Sequence, residues 1–433
     1  MEHSVPAQAA PVYESALSPL QEPLFRGLWI AAVISYTGSW MQSIATGWLM
    51  TSLTNSPMLV ALVQVVVSVP VFLMALPAGA LADSIDRRKF LLATQIFMTA
   101  AAAMLGALTI MGAVTPQLLL ALTFLLGAGA AMNEPAWQSM APELVPSSKL
   151  AAAIARNSVG FNIARSVGPA IGGLVIAIAG SLRANSERVG SGAVFLLNAL
   201  SFLGVILFLY RWTPEKRELP PKSDLGTAIG SGLRYVRNDQ KIRAVLVRTL
   251  AFTLMVSAFW ALLPLIARKY GAGGYGAMVG CFGVGALFSA GLLPRLRSIL
   301  RFDAIAGFGS IVFAIATFGL ARSHTLALSS FFTAGAGLAY VGTLSTFNVV
   351  AQTAAPSWVR ARVMSMYILA LQGGFAIGSA MWGGIASRIG IESTLTVSGA
   401  ALCCGLILSA WFKLSGEEGS QGSPPPPVEI QPD

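Results

Sequence analysis

Histidine is almost missing from this chain: His3 and His324 are the two in 433 residues, far apart from one another. Cysteine is scarce too, with Cys281, Cys403 and Cys404 each set in an apolar run. An odd, buried set of thiols builds no disulfide framework, and two isolated histidines add no metal-ligand spacing. Charge is the third shortage. Lys, Arg, Asp and Glu make up 11% of the sequence against 55% hydrophobic residues, and the mean hydropathy is +0.70. That balance excludes an ordinary soluble globular protein and points to a polytopic membrane protein. No G-x-x-x-x-G-K-[ST] loop occurs, which excludes an ATP-driven pump on this chain. Neither an Asp-rich cluster nor a Ser, His, Asp constellation is present, so neither enzyme chemistry nor a cofactor or metal is expected. A ladder of basic residues and a carbonyl-filter signature, the marks of channels, are missing as well.

What the chain does have is apolar runs, twelve of them. They lie at about 25–51, 58–82, 88–112, 116–140, 151–180, 191–211, 242–268, 274–299, 303–321, 325–350, 359–387 and 391–413, each long enough to cross a bilayer. The expected class is therefore an all-α membrane protein with twelve transmembrane helices. Its net charge of +10 does not signal nucleic acid, because the basic residues are spread over short loops rather than gathered on one domain. Of 28 Lys and Arg, six (Arg183, Arg188, Arg268, Lys269, Arg322, Arg388) fall on one side, three (Arg156, Arg165, Arg248) fall inside helices, and about nineteen fall on the side of the tails. By the positive-inside rule both termini are expected in the cytoplasm, and the protein in the inner membrane.

The expected organisation follows: a disordered tail at 1–24, a six-helix bundle at 25–211, a cytoplasmic linker at 212–241, a second six-helix bundle at 242–414 and a Pro-rich disordered tail at 415–433. A shift of 210 residues superimposes Pro146 on Pro356, Asn162 on Gln372, Gly168 on Gly378, Gly173 on Gly383 and Gly180 on Gly390. The fifth and eleventh helices then read as copies, and the halves as pseudo-symmetric. Arg165 meets Phe375 in that register, so its charge belongs to the first half.

The stretch ARNSVGFNIARSVGPAIGG, from Ala155 to Gly173, carries the densest information. Ser158, Asn162, Arg165, Pro169 and Gly172 share one helical face. An arginine at the centre of a span costs roughly 2.5–3.5 kcal/mol on insertion scales, so Arg165 must face protein or water. It reads either as a cavity charge for an anionic or polar substrate group or as a structural arginine satisfied by carbonyls or by Asn162. Glu134, the acidic residue well inside a helix, either carries a coupling proton or pairs with Arg156 or Arg165. Gly168, Pro169, Gly172 and Gly173 admit close backbone approach, for which Gly276, Gly280, Gly283 and Gly285 offer a matching surface. Polar and aromatic residues in mid-span suggest an amphiphilic cavity: Trp40, Gln42 and Thr46 from the first helix, Trp260 from the seventh, Asn348 from the tenth, and Tyr367 and Gln372 from the eleventh. Between the second and third helices, GALADSIDRRKFLL sets Gly79 and Asp83 ahead of Arg87 and Arg88 in a candidate gating loop. The second-half counterpart, GLLPRLRSILR, has Arg295 where Asp83 would stand.

The loop carrying Gly79, Leu81, Asp83, Arg87 and Arg88 resembles the signature loop of the major facilitator superfamily. The Arg165, Gly168, Pro169, Gly172, Gly173 pattern resembles the helix 5 motif of its exporting branches. From Asn133 to Gly173 the chain is similar to the transmembrane secretion effector group, which includes the enterobactin exporter and macrolide efflux pumps. The resemblance covers about residues 20–414. It implies a secondary transporter working by alternating access, exporting a small amphiphilic compound such as a siderophore or drug, with protons as coupling ion and the chain acting as a monomer. A lysophospholipid or metabolite facilitator or importer of the same fold, or a non-transporting membrane assembly factor, are the alternatives.

Overall fold

A computed structural model describes residues 18–74, 86–138, 140, 144–182, 186–212, 235–356 and 359–414. Among the described residues twelve long helices follow one another: α1 (Pro23–Leu53), α2 (Pro57–Met74), α3 (Arg87–Ile110), α4 (Pro116–Gln138), α5 (Leu150–Leu182), α6 (Ser186–Arg211), α7 (Gln240–Ala267), α8 (Gly271–Ile299), α9 (Phe302–Arg322), α10 (Leu326–Ala354), α11 (Arg360–Ile389) and α12 (Ile391–Cys404). Among the described residues ten stretches are long and apolar enough to span a membrane. One of these, Gln240–Ile299, holds both α7 and α8, while α1 is not among the ten. That helix carries Ser35, Thr37, Ser39, Gln42, Ser43 and Thr46 in its middle, the polar load expected of a helix that faces a cavity.

Helix starts follow their sequence signals. Asp86 caps α3 by accepting from Lys89 N at 3.2 Å, Asp239 caps α7 from Ile242 N at 2.9 Å, and Pro23 sits in the first turn of α1. Gly271 and Gly390, at φ 73° and 84°, make the tight turns from α7 to α8 and from α11 to α12, a backbone region costly for any side chain. The last span is interrupted near its end, though its apolar stretch runs on to Trp411. α12 stops at Cys404, turns at Gly405 and resumes as Ile407–Trp411; beyond it Asp303 receives Leu414 N–H at 3.1 Å and Arg248 reaches the Phe412 carbonyl at 3.4 Å.

The first and last described residues lie at one end of the bundle. Lys149, before α5, is 2.9 Å from Glu22, before α1. Arg88, at the start of α3, donates to the carbonyls of Leu209 and Tyr210 at the end of α6, at 2.8 and 2.5 Å, where a cation complements the helix dipole. Arg248 pairs with Asp303 at the start of α9. We term this the terminal end of the bundle, and its opposite the distal end.

The repeat is visible in the packing. Within the first half α1 packs on α5, α2 on α4, and α3 on α4 and α6; within the second, α7 packs on α11, α8 on α10, and α9 on α10 and α12. The halves meet along two seams, α5 with α8 and α2 with α11, which exchange under the same correspondence. Register holds at single residues. A Cβ on Gly168 would strike Trp40 and the Thr37 carbonyl of α1, and one on Gly378 would strike Ser257 and the Leu254 carbonyl of α7. Gly173 abuts Gly276 of α8, as Gly383 abuts Ala61 and Met58 of α2.

Candidate functional site

Between the seams lies a cavity of about 260 Å³. From the sequence-derived set it brings together Trp40, Gln42, Thr46 and Trp260. The polar groups of Gln42 and Thr46 are held rather than loose. Gln42 is 8% exposed and its Oε1 accepts from Asn198 Nδ2 at 2.6 Å. Thr46 donates to the Gln42 carbonyl at 2.9 Å, a bond within its own helix. Asn198 and Gln64 are cavity residues that the sequence reading missed, although each is a lone amide in an apolar run, which is a legible signal. Thr123 and Trp260 complete the polar lining. Among the described residues, Thr123 Oγ1 and Trp260 Nε1 are buried without a hydrogen-bond partner. The remaining wall is apolar, including Val60, Met98, Leu126 and Phe202.

The other sequence candidates stand elsewhere. Asn162 is exposed, and its Nδ2 donates to the Ser158 carbonyl one turn away at 2.8 Å rather than to Arg165. Asn348 accepts from Gln352 Nε2 at 2.7 Å on the same face of α10. Tyr367, 3% exposed, donates to the Leu344 carbonyl at 3.1 Å and fastens α11 to α10. Gln372 is partly buried on α11 and is not part of the cavity wall. Of the candidate gating loop, Gly79 and Asp83 lie outside the described residues. Arg87 and Arg88 open α3, and Arg88 is committed to the end of α6. Glu134 sits near the end of α4, exposed, within electrostatic reach of the Tyr36 hydroxyl.

Arg165 stands where α5 meets both α1 and the second half. Its guanidinium carbon is 5.7 Å from the Trp40 ring centre, 5.9 Å from that of Phe282 and 5.8 Å from that of Tyr340. One wall of this cage thus comes from α1, the other two from α8 and α10. Phe375, its counterpart in the repeat, lies 6.4 Å from the same Tyr340 ring. Arg156, which faces Trp29 at 5.9 Å, is likewise held by an indole. Arg248 differs, for it is paired with Asp303.

The two seams close the distal part of the molecule. Along α5 and α8, Gly173 opposes Gly276, Ala170 opposes Gly280 and Ser166 opposes Gly283. A Cβ at Gly173 would stand 2.7 Å from Gly276 Cα and 2.9 Å from the Ala272 carbonyl, so the helices touch backbone to backbone there. Gly285 departs from this surface and packs on Ala334 of α10 instead. Further toward the distal end Gly47 meets Pro264 and the Tyr275 hydroxyl, and Arg268 donates to Asn55 Oδ1 at 2.6 Å, tying α7 to the α1–α2 turn. Toward the terminal end the α5–α8 contact ends: Ile154, Val159 and Ile163 of α5 are exposed, and Gly291 of α8 has no neighbour within 4 Å of an added Cβ.

Comparison with known proteins agrees with this architecture. A family profile described as transmembrane secretion effector matches residues 14–431. The staphyloferrin A transporter of Staphylococcus aureus is 22% identical over 401 residues, covering 90% of this chain and 98% of its own length. The multidrug efflux pump Tap of Mycolicibacterium fortuitum is 26% identical, with 87% and 93% covered, and the enterobactin exporter EntS of Shigella boydii is 25% identical, with 88% and 89% covered. Among solved structures, a point mutant of the nucleoside transporter NupG superposes with a TM-score of 0.75 at 12% identity, covering 90% of this chain and all of its own. A bacterial homologue of the lysosomal transporter Spinster, in an inward-facing occupied conformation, gives 0.67 at 15% identity, with 91% and 95% covered.

Proposed function

The chain belongs to the transmembrane secretion effector family of the major facilitator superfamily, and from that premise we propose that it exports a small amphiphilic compound across the inner membrane by alternating access, driven by protons. The observation that carries this reading is the position of the cavity. It lies beside the α5–α8 seam, which is shut distally and parts toward the terminal end. The excess of basic residues in the terminal loops favours the cytoplasm for that end, so that the molecule stands open to the compartment from which cargo would be collected. Cargo enters from that side and displaces water from a wall that is mostly apolar, with hydrogen-bonding atoms of Thr123 and Trp260 unclaimed. Rocking of the halves then parts Gly173 from Gly276 and brings the terminal ends together, exposing the cavity on the far side.

Support for proton coupling comes from Glu134. The other carboxylates within described spanning helices, Glu187, Asp303 and Glu392, all occupy first turns, whereas Glu134 lies about one turn from the end of α4. Its protonation state in each conformation would link cargo movement to the gradient. The relatives with printed roles in siderophore and drug transport favour a siderophore or drug-like cargo.

The experiment is efflux from cells carrying the wild type, Glu134→Gln or an empty vector, loaded with a panel of lipophilic drugs and siderophores, with and without a protonophore. Lower accumulation that depends on the gradient and is lost in Glu134→Gln is the expected result. Accumulation equal to the empty vector for every compound would sink the export reading. Gradient-dependent export that survives Glu134→Gln would remove Glu134 from the coupling step while leaving export intact.

A further inference from the structure

Resting on the transport reading, we infer that the cargo carries an oxyanion, a carboxylate or phosphate, which docks on Arg165 within the Trp40, Phe282 and Tyr340 cage while its apolar body fills the adjoining cavity. A guanidinium presents five N–H donors in one plane. Among the described residues Arg165 has three ring faces around it and neither a hydrogen bond nor a carboxylate. Rings offset part of the desolvation of a cation but accept its protons poorly. Arg165 is partly buried rather than sealed off, which leaves its donors within reach of a ligand, and a two-oxygen anion satisfies two of them at once.

The comparison within the chain sharpens the point. Arg248, also inside a span, is neutralised by Asp303 and reaches the Phe412 carbonyl, and Arg297 donates to Ser345 at 2.9 Å. Arg248 thus has the partners a structural arginine needs, whereas Arg297 keeps a buried Nε without one among the described residues. Arg165 is held in place by its cage with its hydrogen-bonding capacity uncommitted. Trp40 belongs to both the cage and the cavity wall, so the two compartments are contiguous. The cavity itself carries amides, hydroxyls and apolar surface but no charge, which suits the uncharged body of an amphiphile. Because the cage takes rings from both halves, an anion held there touches the parts that must move relative to one another.

The test uses the purified full-length protein in phosphatidylcholine nanodiscs, titrated calorimetrically with 1-naphthoate, 1-naphthyl phosphate and the neutral 1-naphthamide. The expected result is that both anions bind at least about tenfold tighter than the amide, the scale of one charge-assisted bidentate contact. That preference should fall to about unity in Arg165→Met and persist in Arg165→Lys, which keeps the charge without the fork. A melting curve checks that Arg165→Met folds, and the anion-to-amide ratio on the wild type stands without any variant. Nanodiscs containing phosphatidylglycerol form a parallel arm: loss of naphthoate binding there, dependent on Arg165, would assign the anion site to a lipid phosphate and overturn the cargo assignment. Equal binding of anion and amide, no binding by any probe, or a preference that survives Arg165→Met overturns the inference. Anion binding through Arg165 in a protein that exports nothing would instead overturn the transport reading and leave the site standing.

Discussion

Replacing Gly173 by valine puts the alternating-access reasoning at risk in a single residue. The new Cβ would stand 2.7 Å from Gly276 Cα, 2.9 Å from the Ala272 carbonyl and 3.1 Å from Gly276 N. All three obstacles are backbone atoms, so no rotamer change relieves them, and α5 and α8 must separate. Overpacking of a tight contact costs about 1–3 kcal/mol, and here the cost falls on the distally closed conformation alone. At about 2 kcal/mol the balance between closed and open distal ends moves roughly thirtyfold toward open. The assay is the distance distribution between spin labels on Ser52→Cys and Ser393→Cys, both exposed at the distal end, in a background with Cys281, Cys403 and Cys404 replaced. A longer component should dominate in Gly173→Val. Gly384→Val is the control, because no atom lies within 4 Å of a Cβ at Gly384 although its neighbour Gly383 is packed on α2. Should Gly173→Val and Gly384→Val give the same distribution as the parent, the glycine seam does not hold the distal end shut.

Two further substitutions test the packing around the site. Asp303→Asn removes the charge that faces Arg248 and should lower stability by on the order of 2–3 kcal/mol, below the usual range for a buried pair because the Asp303 side chain keeps 26% exposure; melting in detergent measures it, and Arg248→Leu with Asp303→Leu should recover most of the loss. Asn198→Leu strands Gln42 Oε1 in the cavity wall and should cost about 1–3 kcal/mol, again read as a melting shift, with Gln42→Leu in the same chain restoring part of it.

The helices were legible because their apolar runs are long and their ends marked, as at Asp86 and Asp239. The half-repeat was legible too, since backbone contact at Gly168, Gly173, Gly378 and Gly383 tolerates no side chain and so leaves glycine at fixed spacing. Direction around a helix was not. A span that is apolar on every side has no stripe to orient it, so nothing in the sequence said that Tyr367 would turn to the Leu344 carbonyl or Asn348 to Gln352. The aromatic cage was hidden for another reason. Phe282 and Tyr340 read as ordinary membrane aromatics, and only the meeting of two halves brings them over Arg165. The chain just beyond the last span shows the same limit, as Phe412 and Leu414 are held by Arg248 and Asp303, more than a hundred residues earlier.

The glycine seam also bears on how such a protein can change over time. At Gly173 and Gly276 its contacts are between main chains, and elsewhere it uses only the small side chains of Ala170 and Ser166, so it carries little side-chain code to be matched across the interface. The cavity wall, by contrast, is written almost entirely in side chains, from Gln42 and Asn198 to Trp260. Mutations that retune the wall toward a new cargo therefore leave the sliding surface untouched, and the moving part of the machine can be inherited intact while its selectivity drifts.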